Sequence, residues 1–292
     1  MYYKSRPYRL FYAINIVVLS LVSILCLIPL IHVLALSFSS GVAVETNQVS
    51  LWPIGFNLDS YSRTFADGAF LGALMHSVFR VVLGVSIGML VTILTAYPLS
   101  KMDGGALKGG KLIAWYFVFT MLFNGGLIPN YILIQKLHLM DSIWSLVLPG
   151  ALSIYNMILM LNFFRTIPRE LEEASLIDGA GHLTTLFRIY IPVSLPSIAT
   201  IALFVTVGNW NAWFDGLIYM HKENWPLSTL LQTMISAPDL SQKSVSESEI
   251  VNLTERSLRA AKIFIGALPI LIVYPFLQRF FVKGIVVGAV KG

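Results

Sequence analysis

The sequence predicts an all-α integral membrane protein with six transmembrane helices. Apolar residues make up 56% of its 292 residues and charged residues only 12%, against about 25% charged in an ordinary soluble domain. Mean hydropathy is +0.75. The apolar residues are gathered into six runs that each approach the roughly 20 residues needed to cross a bilayer, and basic residues stand beside their ends.

The first run, residues 14–36, follows Lys4, Arg6 and Arg9 in the manner of a secretory leader. It exceeds the roughly 7–15 residues of a leader's apolar region, so it is expected to be retained as the first span. The others cover residues 74–99, 112–134, 143–163, 198–219 and 263–281. Pro29, Gly84, Gly88, Pro129 and Pro269 fall inside these runs. They do not exclude helices, because neighbouring segments can satisfy the freed backbone groups.

Counting spans puts several basic segments on one face: Lys4, Arg6 and Arg9; Lys101, Lys108 and Lys111; Arg165, Arg169 and Arg188; and Arg279, Lys283 and Lys291. Positive loops face the cytoplasm, which predicts a multi-pass protein of the cell membrane with both termini cytoplasmic. Residues 220–262 run against the trend: they carry Lys222, Lys243, Arg256, Arg259 and Lys262, partly offset by Glu247, Glu249 and Glu255. Parity still puts this loop outside. The net charge of +5 is explained by this clustering without a nucleic-acid partner. The single cysteine, Cys26, excludes a disulfide framework and a cysteine-based metal site.

One stretch is unlike the rest. From Pro168 the chain reads "PRELEEASLIDGAGHLTTLFRIYIPVSLP" between two apolar runs. Pro168 suits a first helical turn, and Glu170, Glu172 and Glu173 suit its positive end. Gly179 and Gly181 permit a reversal, and a second segment over 183–190 is expected to present Leu186, Phe187 and Ile189 before Pro192 and Pro196. Two readings stand side by side: a solvated connector, or a short helix that docks in a groove of another protein. In the second, a Cβ at position 179 is expected to crowd the turn.

The spacing of Glu173, Ala174, Ser175, Asp178, Gly179, Ala180, Phe187, Ile189, Pro192 and Pro196 closely resembles the EAA loop of ABC-importer permeases. Ser175 stands where that family usually has a second alanine. "TAYPLSK", "FNGGLIPNYILI", "WPLSTLLQ" and "YPFLQRFFVKGIVVGAVKG" extend the resemblance over essentially the whole chain, to the MalG-like, LplC/YtcP-type branch of carbohydrate permeases. The resemblance implies a type I ABC importer fold. It divides the chain into a tail and first helix (1–40), a transmembrane core (72–282, with the EAA loop at 168–196) and a cytoplasmic tail (283–292). It further implies that Glu172, Glu173, Ala174, Ser175, Asp178, Gly179, Ala180, Phe187 and Pro192 couple to the ATPase. The implied partners are a second homologous permease, two ABC ATPases that bind the ATP and magnesium, an extracytoplasmic sugar-binding protein and membrane lipid. Residues 284–292 become a second candidate contact with the ATPases.

The chain shows no ATPase chemistry of its own. "GALKGGKL" matches most of the P-loop spacing through Gly105, Gly110 and Lys111, but Leu112 has no hydroxyl for magnesium and the stretch joins two membrane runs. No H-E-x-x-H occurs, and the five histidines are scattered. No catalytic residues are expected, and no cofactor or metal.

Candidate cargo residues lie at membrane depth. "FVTVGNWNAWFDGLIYM" offers Asn209, Trp210, Trp213 and Asp215, with aromatic faces for sugar C–H surfaces and amides for hydroxyls. The same residues also suit an interfacial aromatic belt. Asn124, Tyr155 and Asn156 serve equally as cargo contacts or as interhelical hydrogen-bonding groups. Arg80, inside the second run, is expected either to snorkel outward or to face a polar cavity, where it would favour an acidic oligosaccharide. The function expected is thus an oligosaccharide importer permease. The alternatives are an ABC permease for another solute and an ion-coupled secondary transporter.

Overall fold

The computed structural model describes residues 6–101, 110–123, 125–236 and 254–289, with side chains for all of these except 110, 111, 114 and 277–289. The sequence-predicted candidate Asn124, most of the glycine-rich turn at 102–109, much of the outer loop (237–253) and the last residues (290–292) lie outside them. No strand occurs among the described residues. The chain divides into two compact units, one of Met1–Leu71 with Thr233–Leu268 and one of Gly72–Gln232 with Pro269–Gly292.

In the first unit, α1 (Arg6–Ser37) is apolar on every side, and its membrane-length window has no residue buried against protein. A helix of this kind is solvated by lipid. At its end the chain turns tightly. Phe38 stacks on Phe56 at 5.3 Å and on Tyr61 at 4.8 Å, and the Ser40 N–H donates to the Ile54 carbonyl at 2.9 Å. Gly55 is required there twice over: its φ is +67°, and a Cβ would stand 2.9 Å from that of Ser40. After α2 (Gly41–Glu45) and α3 (Asp59–Ala66), Asp67 caps the next helix by accepting from the Ala69 N–H at 3.1 Å. Its other carboxylate oxygen takes the Lys262 ammonium at 2.6 Å, which sets Lys262 over the Phe70 ring.

The second unit is built on α4 (Gly68–Ser100). Around it come α5 (Gly110–Leu122), α6 (Leu127–Lys136), α7 (Ile143–Val147), α8 (Ile154–Thr166), α9 (Arg169–Ile177) and α10 (His182–Thr185). A π-helical turn (Leu186–Tyr190) follows, then α11 (Ile191–Val193), α12 (Leu195–Asn211), α13 (Phe214–Tyr219) and a 3-10 turn (Lys222–Asn224). α14 (Leu227–Ser236) and the long α15 (Glu255–Ala289) each have residues in both units, α15 belonging to the second from Pro269 on. Its core joins Ala96, Tyr97 and Leu99 of α4 to Met157, Met160 and Phe164 of α8, and to Leu186, Tyr190 and Ile201.

Among the described residues three helices are long and apolar enough to cross a membrane: α1, α4 and the Glu255–Phe276 part of α15. The count is five if two bent pairs each make one span: Trp115–Leu122 with Leu127–Lys136 at 109°, and His182–Val193 with Leu195–Asn211 at 83°. The run expected at 143–163 is not one helix. Pro149 and Gly150 fall between α7 and α8, of 5 and 13 residues, and Pro149 can neither donate to nor fit inside a helix that runs through it. The run at 198–219 is likewise broken, between α12 and α13.

Phe164 is 1% exposed and meets Tyr97 and Tyr190 edge-on. Phe164→Ala is expected to cost about 3–5 kcal/mol, read as a lower Tm in detergent.

Candidate functional site

The acidic loop at 168–190 is ordered by its own residues. Pro168 precedes α9 in extended conformation, and Glu170 and Glu172 fall in the first turn, where carboxylates favour the helix dipole. At the other end the Ala180 N–H donates to the Ser175 carbonyl at 2.9 Å and the Gly179 N–H to the Leu176 carbonyl at 3.0 Å. This is the Schellman pattern, which needs a left-handed residue at Gly179, and its φ is +79°. The expected crowding is not found: nothing lies within 4 Å of where a Cβ would be. Conformation, not space, requires glycine here.

The helix has two faces. Ser175 is buried; its hydroxyl donates to the Glu172 carbonyl at 2.8 Å and lies 2.8 Å from that of Thr185. Glu172 turns the same way, bonded by Lys101 and Tyr190. Glu173, Ala174 and Asp178 are exposed, Ala180 is half-buried and Pro192 is exposed. Ile177 is 86% exposed, Leu183 65% and Phe187 54%, with Leu176 beside them at 44%. Of the apolar residues expected on the second segment, only Phe187 is presented. Leu186 is buried in the core with Tyr97, Phe164 and Ile201 and Ile189 is half-buried, within a π-helical turn whose extra residue rotates the positions that follow its start.

The second cluster surrounds the break after α12. Asn209 donates to the Val205 carbonyl at 2.9 Å and packs against Gly84, where a Cβ would stand 2.8 Å from the amide carbon. The Ala212 carbonyl accepts from Arg80 at 3.1 Å and from the Ser228 hydroxyl at 2.6 Å, and that of Trp213 accepts from Thr229 at 2.8 Å. Arg80 neither snorkels nor stands free: it forms a two-bonded ion pair with Asp215, its side chain 4% exposed and that of Asp215 29%. Both residues stand out in the sequence, but nothing in it shows that they meet across 135 positions. Trp210 and Asn156 are buried. Trp213 is 36% and Tyr155 56% exposed.

A third cluster, unmarked by any sequence motif, closes the loop before α7. Asp141, in left-handed conformation, accepts from the His221 N–H at 2.8 Å and the Asn224 amide at 3.0 Å, with the His221 ring 3.2 Å away. Burial pushes its carboxyl up, but these bonds and the neighbouring His221 and His76 outweigh it and hold the group below the usual carboxylate range. Among the described residues no three His, Cys, Asp or Glu side chains gather into a metal site.

Two outcomes follow from this geometry. Asp215→Asn strands a buried guanidinium and is expected to cost about 3–5 kcal/mol, whereas Arg80→Met with Asp215→Leu should lose less than either single change, read by thermal unfolding in detergent. For Asp141 the folded group binds its proton less readily than the unfolded one. Its stabilisation is present above the unfolded value and is lost as pH falls through the folded one. The Tm difference between the wild type and Asp141→Asn should therefore hold at neutral pH and narrow below about pH 4.

A family model described as "Binding-protein-dependent transport system inner membrane component" matches residues 1–287. Protein LplC of Bacillus subtilis (strain 168) is 37% identical over 291 residues, covering 99% of this chain and 98% of LplC. The polygalacturonan/rhamnogalacturonan transport system permease protein YtcP of the same organism is 38% identical over 272 residues, covering 92% of this chain and 94% of its own. A crystal structure of a bacterial ABC transporter involved in the import of the acidic polysaccharide alginate aligns with a TM-score of 0.84 and 31% identity, over 95% of this chain and 98% of the matched one. With a helical membrane architecture and whole-length relatives of this kind, the chain belongs to the inner membrane components of binding-protein-dependent transport systems, the ABC-transporter permeases.

Proposed function

We infer that the chain is one permease subunit of an ATP-driven importer for oligosaccharides, coupled to separate ATPases through the loop at 168–190. The observation that carries the coupling is the exposed ridge of Leu176, Ile177, Leu183 and Phe187, rimmed by Glu173 and Asp178. Large apolar side chains held out by a short, well-terminated helix and by the helical segment that follows its turn suit a groove on a partner protein. Glu173, Ala174, Asp178 and Phe187 make the contact in this reading. Glu172, Ser175 and Gly179 shape the helix from within.

The cargo reading rests on the relatives: one is named for polygalacturonan and rhamnogalacturonan and another serves import of an acidic polysaccharide. These support an acidic, polysaccharide-derived oligosaccharide. Arg80 no longer argues for an acidic cargo, since Asp215 meets its charge. Trp213 and Tyr155 retain the exposure that stacking on a sugar needs. A second permease completes the path, and a sugar-binding protein delivers cargo at the outer face. The loop, both termini and the two ATPases with their ATP and magnesium lie on the cytoplasmic side. ATP binding closes the ATPases, the loop moves with them, and the spans open outward; hydrolysis resets them.

The tagged chain, purified in mild detergent with its partners identified by mass spectrometry, is expected to bring down a P-loop ATPase and a second permease with ATPase activity. Ile177→Asp places a charge at the centre of the ridge and should reduce ATPase recovery at least tenfold, equivalent to about 1.4 kcal/mol. Repeated recovery of the chain alone, with uptake that follows a proton or sodium gradient, would instead establish the ion-coupled transporter.

A further inference from the structure

The inward face of α9 holds a group of side chains that the docking ridge does not use. Glu172 Oε2 receives the Lys101 ammonium and accepts from the Tyr190 hydroxyl at 3.2 Å. Lys101 also bonds the Tyr190 hydroxyl and lies 4.0 Å from the centre of its ring. The three come from different segments: Lys101 follows the last residue of α4, Glu172 is in α9, and Tyr190 ends the π-helical turn. Beneath them Tyr190 meets Tyr97 of α4 edge-on at 5.0 Å and Phe164 of α8 at 5.5 Å.

The chain itself transmits little through α9. The helix has nine residues, too few to persist without tertiary support, and it is entered through Pro168 and left through the left-handed Gly179. Neither connection continues the helix. Apolar contacts beneath it are non-directional and permit sliding. Bonds to a charged group fix both distance and angle. Lys101 is 22% and Glu172 15% exposed, so solvent screens the pair only in part.

We propose that Lys101, Glu172 and Tyr190 form a strut that makes α9 and the end of α4 move as one body, so that a displacement of the loop reaches the second span without loss. They are positioning residues, and the proposal rests on the coupling reading above. The role of Glu172 is thereby moved from the partner's surface to the chain's own interior.

The test uses the assembled complex in lipid nanodiscs, with Cys26→Ser and spin labels at Leu94→Cys on α4 and Glu170→Cys on α9. The distance distribution is measured without nucleotide and with ATP plus vanadate. With the native strut it should stay narrow and unshifted between the two states. Glu172→Gln and Lys101→Met should still recover the ATPase but give a broadened or shifted distance with nucleotide. The exchanged pair Lys101→Glu with Glu172→Lys should restore the narrow one, which no general loss of folding could do. An unshifted, narrow distance in Glu172→Gln overturns the strut, as does a nucleotide-dependent shift in the native protein. Failure of the native complex to retain any ATPase is a different result: it removes the coupling reading, and the strut with it.

Discussion

A backbone carbonyl at membrane depth has no water to turn to, and the second unit depends on how that demand is met where a helix stops. Between α12 and α13 the Ala212 carbonyl points out of the helical ladder and is taken by Arg80 and Ser228, while the Trp213 carbonyl, which opens the ladder of α13 with the Leu217 N–H, also takes Thr229. Without those donors the break would be untenable in hydrocarbon. Arg80 can serve only because Asp215, just beyond the break, balances its charge.

Ser228 and Thr229 come from α14, and Arg80 belongs to a stripe of α4 that faces the same interior. Ser77, Arg80, Gly84 and Gly88 follow one another at intervals of three and four residues, the spacing of a single helical face. Ser77 accepts from the Leu227 N–H, Gly84 leaves room for Asn209, and Gly88 leaves room for the Ala151 carbonyl. The same helix ends beside Lys101, which reaches Glu172 and Tyr190. One continuous element thus touches the irregular interior along its length and the acidic loop at its end. For a permease that geometry matters, because a rigid rod can carry a displacement that the short helices around it cannot.

What could be read in advance followed the range of the forces involved. Unbroken apolar runs produced α1, α4 and α15, since a bilayer imposes length on any chain that crosses it. The turn at Gly179 was legible because it is local: acids, then a glycine in a left-handed cap. The spacing of Pro149 and Gly150 signalled a break that tolerance for proline in membrane helices obscured. Neither the break at Ala212 nor the pairing of Arg80 with Asp215 was legible, because their causes lie more than 100 positions apart and have no periodicity. The inward turn of Leu186 was hidden for a related reason: the core it enters is assembled from Tyr97, Phe164 and Ile201 of other segments, which its neighbours in sequence do not announce.

α1 has a consequence of its own. Its apolar run of residues 14–36 extends about 35 Å at 1.5 Å per residue, longer than a hydrocarbon layer of about 30 Å. No residue of its membrane-length window is buried against the rest of the chain, so within this chain little sets its tilt. The surplus is taken up by inclination or by local thickening of the lipid, and the angle of the first helix becomes a property of the membrane. Host bilayers of different thickness will therefore present the tight turn at Phe38 at different depths, and hydrophobic mismatch enters the energetics of the protein through its first helix.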